Sequence, residues 1–119
     1  MDPNRFFRSF RFAAQGIRAA LRREQNIRFH FLAALFTVTA GVLTGLSYVE
    51  WLIILLCIGG MIALELVNTA LERAVDLASP EIHPIAGEAK DMAAGAVLVF
   101  AVASAIIGLL IFLPKWLPL

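Results

Sequence analysis

The densest chemistry in this sequence lies in one twelve-residue string, Glu65-Leu66-Val67-Asn68-Thr69-Ala70-Leu71-Glu72-Arg73-Ala74-Val75-Asp76. Its acids and amide stand three, four and four residues apart. At about 100° per residue, Glu65, Asn68, Glu72 and Asp76 fall within one narrow helical stripe. The string follows directly on fourteen uncharged, largely apolar residues, Trp51 to Leu64. A carboxylate at membrane depth costs roughly 2.5–3.5 kcal/mol on insertion scales, so Glu65 must face a partner, a metal or water. The plainer reading is a frayed helix end whose acids pair with Arg73 and other bases. It accounts for Asp76 alone, but not for two carboxylates two turns apart on one stripe.

Two further pieces could complete a site. Glu24 precedes the first long apolar run, with Arg28 one helical turn later at the i,i+4 spacing. Lys90 and Asp91 stand at the mouth of the last apolar run. Taken singly, these are a flanking salt bridge and an acid near a helix start. Together they gather carboxylates, an amide and a lysine at one membrane surface. Mg²⁺ takes one or two carboxylates plus substrate phosphates, and lysine meets a phosphate as a point charge. That set suits phosphoryl transfer, in which cations stabilise charge and a carboxylate orients the attacking hydroxyl. The sequence has no G-x-x-x-x-G-K-[ST] loop, no G-x-G-x-x-G and no H-R-D or D-F-G string. From the residues alone, a membrane phosphotransferase and an acidic ion or proton pathway both stand.

The elements that must position these groups follow from composition. The 119 residues are 61% hydrophobic and 16% charged, with mean hydropathy +0.84, against about 45–50% apolar and about 25% charged in soluble domains. So small a soluble domain could not bury that much apolar surface. Intrinsic disorder, which needs low hydrophobicity, is also excluded. Residues about 4–23 read as an amphipathic surface helix, with Phe6, Phe10, Ala13, Ile17 and Leu21 on one face and Arg8, Arg11, Arg18 and Arg22 on another. Three runs, about 29–47, 51–72 and 92–113, approach the ~20 residues a helix needs to cross a bilayer. The first apolar run begins only at Phe29 and carries no convincing cleavage site, which argues against a signal peptide.

Seven of the ten basic residues lie in the first 28 positions, and Arg73 and Lys90 fall near the loop between spans two and three. The positive-inside rule then places the N-terminus and the 77–90 loop in the cytoplasm and the C-terminus outside. Beside long apolar runs, the basic segment reads as meeting anionic lipid rather than nucleic acid. Cys57 is the sole cysteine, so no intrachain disulfide forms, and it reads as a small packing residue.

At these residues the sequence resembles the small bacterial integral-membrane diacylglycerol kinase and undecaprenol kinase family. The Glu65–Glu72 string with Asp76 is similar to that family's E-x-x-N-[ST]-A-[IL]-E-x-x-x-D signature. Ala89-Lys90-Asp91-Met92 resembles its A-K-D motif, and Gly16-Ile17-Arg18-Ala19-Ala20 with Glu24 its N-terminal G-[LI]-R-A-A-x(3)-E pattern. The resemblance covers nearly the whole chain. It implies a homotrimer of three-span subunits with shared active sites. It makes Glu65 the general base for a lipid hydroxyl, and Glu24 and Glu72 the metal ligands. It places Asn68, Asp76, Lys90 and Asp91 along the nucleotide, Glu81 to His83 in a loop touching ATP, and Arg5 at an N-terminal contact. Phe12 stands where some members have Tyr, and Glu88 where some have a basic residue. Glu24-Gln25-Asn26-Ile27-Arg28-Phe29-His30 resembles the E-x-N-x-R-x-H pattern of the undecaprenol kinase branch, although His30 reads equally as an interfacial residue.

The expectation is therefore an all-α integral membrane protein, a surface helix plus three transmembrane helices in an oligomeric bundle. Its expected activity is ATP- and Mg²⁺-dependent phosphorylation of a membrane lipid alcohol at the cytoplasmic face of the inner membrane. The resemblance of the Glu24–His30 string to the undecaprenol kinase branch favours undecaprenol over diacylglycerol; a polyprenol also offers only its hydroxyl and an apolar chain. A small oligomeric ion-conducting or scaffolding protein is the reading from another class. A second subunit is the simplest cover for the acidic stripe, and small residues that permit its close approach stand at Gly41 and Gly45 of span one and Ala93, Ala94, Ala96, Ala101 and Ala105 of the last span.

Overall fold

The computed structural model describes residues 2–118, and over these the chain forms four helices: α1 (Pro3–Arg23), α2 (Gln25–Thr44), α3 (Tyr48–Ala78) and α4 (Pro84–Trp116). Each boundary has a local cause. Asp2 caps α1 by accepting from the Asn4 N–H at 2.9 Å, with Pro3 in the first turn, where its missing N–H costs nothing. Ser47 and Glu50 close a capping box on α3. The His83 side chain caps α4, and Pro84 opens that helix.

Two boundaries differ from the sequence reading. Glu24 does not lie within a helix: its extended backbone (φ −112°, ψ 116°) breaks the chain between α1 and α2. Arg28 accordingly does not pair with it. The Arg28 guanidinium instead donates to the carbonyls of Leu21 and Arg22, at 3.3 and 3.1 Å. Those carbonyls lie in the last turn of α1, where backbone acceptors have no helical partner and attract a cation. At the other end of α2, no atom from elsewhere in the chain lies within 4 Å of where a Gly45 Cβ would stand. The Gly45 φ of +83° ends α2 in the left-handed conformation that favours glycine. Gly41 does behave as a close-packing residue, because a Cβ there would meet the Trp51 indole at 2.7 Å.

Helices α2, α3 and α4 are long and apolar enough to cross a membrane. With 31 residues, α3 is about 46 Å long, against a hydrocarbon core of about 30 Å. Glu65 lies ~26 Å along α3 from Tyr48 and Glu72 ~36 Å. A span that begins at Trp51 therefore puts Glu65, ~21 Å along, about 9 Å inside the hydrocarbon boundary and Glu72, ~32 Å along, at that boundary. The inward stripe of α3 changes character at that level: Ile54 and Met61 are its buried apolar residues, and Glu65, Asn68 and Thr69 its buried polar ones.

α3 is the central element, packing mainly against α4 and also against α2 and α1. At the end remote from the acids, Lys115 pairs with Glu50 at 3.1 Å and the Trp116 indole donates to the Thr44 hydroxyl at 2.8 Å. Most other large apolar side chains stay exposed, Phe7, Phe10, Phe36, Leu43, Leu56 and Leu110 among them. Lipid is the solvent that matches such a surface.

A candidate phosphoryl-transfer site at the basic end

The acidic stripe of α3 is assembled as its spacing requires, and its members differ in depth and in partners. Glu65 is the deepest, 4% exposed. Its Oε2 lies 3.3 Å from His30 Nε2 on α2. One turn along, the Asn68 side-chain amide donates to Glu72 Oε1 at 3.3 Å, while Asn68 Oδ1 is buried without a partner. A buried acceptor left unmade costs about 1–3 kcal/mol. Asp76, at the outer end, accepts from Lys90 Nζ at 2.8 Å. This pair is well exposed and contributes little stability of its own.

Glu24 meets α3 outside the stripe. Its carboxylate accepts from Arg73 on α3 at 3.1 Å, tying the α1–α2 break to the back of the same helix turn. Beyond Asp76, the chain between α3 and α4 forms a cavity of about 200 Å³ lined by Asp76, Glu81, His83, Gly87 and Lys90 among others. His83 Nδ1 accepts the Ile85 N–H at 3.1 Å, and the Glu81 carbonyl accepts from the Ser79 hydroxyl at 3.0 Å. The structure thus brings Asp76, Glu81, His83 and Lys90 around one opening. Asp91 is exposed beside Lys90. Arg5 is exposed near the start of α1, and among the described residues no side-chain hydrogen bond or ion pair joins it to the others.

Below Glu65, toward the membrane interior, lies a cavity of about 140 Å³. Its walls are Ala33, Ala34 and Thr37 of α2, Ile54, Cys57, Ile58, Met61 and Ile62 of α3, and Ser104 of α4, with His30 among the lining residues. The sequence reading treated Cys57 as a packing residue and His30 as a family marker, and it missed that both line one slot. A signal was available. His30 is the only His, Asp, Glu, Lys or Arg in span one, and Glu65 is the first of these in span two after Trp51.

No group of three or more His, Cys, Asp or Glu residues converges as a metal site among the described residues. The donors still fit Mg²⁺, which keeps substrate phosphates and water and needs only one or two protein carboxylates. Glu72, next to the unpartnered Asn68 oxygen, supplies the hard oxygen donors this requires.

An acid-lined opening at one end of three bilayer-length helices, with a buried carboxylate above an apolar slot, defines a membrane-embedded enzyme working at the lipid–water boundary. The chain belongs to the prokaryotic diacylglycerol kinase family, whose model matches residues 11–112. It is 58% identical over 114 residues to an undecaprenol kinase of Bacillus subtilis, covering 96% of this chain and 93% of that one. A diacylglycerol kinase of Synechocystis is 39% identical over 93% of this chain and 64% of its own length. One from Escherichia coli K12 is 28% identical over 86% and 84%. The chain is an integral-membrane lipid kinase, and ATP is its co-substrate.

Proposed function

We propose that the protein phosphorylates undecaprenol, using ATP and Mg²⁺ at the cytoplasmic face of the inner membrane, and that it works as a homotrimer. The observation that carries the chemistry is Glu65, a carboxylate buried where the polar stripe of α3 meets the apolar slot between α2 and α3. An alcohol whose chain lies in lipid can bring only its hydroxyl to that point. The choice of lipid is supported by the 58% identity to the Bacillus undecaprenol kinase. It is also supported by the slot, whose lining is apolar but for His30, Thr37 and Ser104.

In this mechanism Glu65 takes the proton of the lipid hydroxyl as its oxygen attacks the γ-phosphorus. The new O–P bond forms while the bond from that phosphorus to the β,γ-bridging oxygen breaks. ADP departs, and Glu65 returns its proton to water. Lys90 offers a positive charge to the phosphates once its contact with Asp76 loosens, and Asp76, Glu81, His83 and Asp91 border the nucleotide. Glu24 and Glu72 would hold Mg²⁺, which supplies charge neutralisation on the phosphates when bound.

A competition assay tests the proposal. The purified chain in mixed micelles, with ATP, Mg²⁺ and equal mole fractions of undecaprenol and dioleoylglycerol, should give mainly undecaprenyl phosphate. A kcat/KM for the diacylglycerol at or above that for undecaprenol overturns the lipid choice. Absence of phosphate transfer to any lipid alcohol overturns the whole reading.

A further inference from the structure

His30 Nε2 stands 3.3 Å from Glu65 Oε2, and both side chains are largely withdrawn from the surface, at 19% and 5% exposed. Among the described residues no Lys or Arg pairs with Glu65, whereas Glu24, Asp76 and Glu50 each have one. The deepest acid is therefore the one held by an imidazole. A buried carboxylate needs a donor to offset its desolvation. The His30 imidazole, 3.3 Å away, is the group placed to supply that donor.

We infer that His30 is a positioning residue for phosphoryl transfer, its Nε2–H fixing Glu65 Oε2 so that Oε1 faces the acceptor hydroxyl. The inference rests on the reading of Glu65 as the base. His30 also lines the apolar slot below Glu65, together with Met61 and Ile62 at the Glu65 end. An alcohol rising out of that slot meets the imidazole and the carboxylate together. The 3.3 Å separation is longer than a good charge-assisted hydrogen bond, and catalytic contacts of this kind tighten in a Michaelis complex. Because His30 acts through Glu65 and not on the nucleotide, its loss falls on kcat and spares the KM for ATP.

The test exploits the presence of only two histidines, His30 and His83. Full-length protein labelled with ¹⁵N in its histidine rings gives two imidazoles by NMR in micelles. Glu65→Gln should shift the ring nitrogens of His30 and leave those of His83, whose Nδ1 accepts the Ile85 N–H. Kinetics supply the second arm. His30→Phe and His30→Leu, which keep bulk and remove the donor, should lower kcat by roughly 10²-fold, the lower range for a positioned acid–base group. KM for ATP should stay within about twofold in both, since phosphate contacts lie outside the pair. His30→Gln, which keeps an N–H at similar reach, should recover most of the rate. Full activity in His30→Phe or His30→Leu with an inactive Glu65→Gln overturns the inference and leaves the base standing. Unmoved His30 signals in Glu65→Gln overturn it even if no His30 variant folds. An inert wild-type chain overturns the functional reading, and this one with it.

Discussion

At the scale of single residues, three acids of one chemical type are given different work by depth and partner. Glu65 is buried against an imidazole, Glu72 accepts from the Asn68 amide, and Glu24 is held by Arg73 outside the helical stripe. A carboxylate buried beside the apolar slot is placed to meet an alcohol, whereas an acid nearer the rim is placed to meet a cation and the nucleotide. Glu65→Gln should therefore abolish turnover, a loss of about 10²-fold or more for a general base, with ATP binding nearly intact. Glu72→Gln and Glu24→Gln should instead raise the Mg²⁺ concentration needed for nucleotide binding. Calorimetric titration of ATP at several Mg²⁺ concentrations reads the difference, and an equal loss of affinity in all three would remove the division of labour. The stripe was legible in the sequence because its partners are set by helical period. The pairings His30–Glu65 and Glu24–Arg73 were not. They join residues 35 and 49 positions apart on separate stretches of the fold, and nothing in a local spacing encodes which faces meet.

At the scale of elements, the four helices were legible because bilayer-length apolar runs, prolines and capping residues act locally. The breaks carried less signal. Glu24 resembles a helical residue in the i,i+4 pattern with Arg28, yet Arg28 gains more from the unpaired carbonyls at the end of α1 than from an exposed acid. Gly45 and Gly41 looked alike in sequence, and only the backbone separates a helix stop from a packing contact. That difference is measurable. Gly45→Ala places a Cβ at φ +83° and should destabilise the chain by about 1 kcal/mol or more. Gly59→Ala, inside α3 with open space around it, should be neutral or gain up to about 1 kcal/mol from helix propensity. Thermal unfolding of both variants in the same detergent checks the pair, and a Gly45→Ala midpoint at or above that of Gly59→Ala contradicts the assignment.

At the scale of the whole molecule, charge and depth define one working end. Helix α1, the start of α2, the end of α3 and the start of α4 meet there, and nine of the ten basic residues lie on those segments, with Lys115 alone at the other end. The positive-inside rule then predicts that the 79–83 segment is cytoplasmic and residue 118 external. In a Cys57→Ala background, a membrane-impermeant maleimide should label Pro118→Cys in spheroplasts and Ser79→Cys only after lysis. The reverse pattern would put the kinase site on the wrong side for ATP.

The last prediction follows from how little one copy covers. The buried apolar side chains are Ala20, Ile27, Ile54, Met61 and Phe112, few for a protein whose central helix carries Glu65, Asn68 and Glu72 at the lipid boundary. On α4, Ala94, Ala96 and Ala105 remain exposed, and nothing lies within 4 Å of a Cβ built at Gly95 or Gly108. Small exposed residues on a spanning helix allow a second helix to approach closely. Another subunit against this bundle would close the open flank of the stripe, which lipid cannot solvate and water reaches only from one end. Light scattering with the detergent contribution subtracted should give a protein mass three times the 13.0 kDa of the chain. Ala105→Trp, which places bulk on α4 well away from the acids, should lower the oligomer mass and the lipid kinase rate together. A fully active species with the mass of one chain would show that a single subunit shields its own site, and the trimer would have to be abandoned.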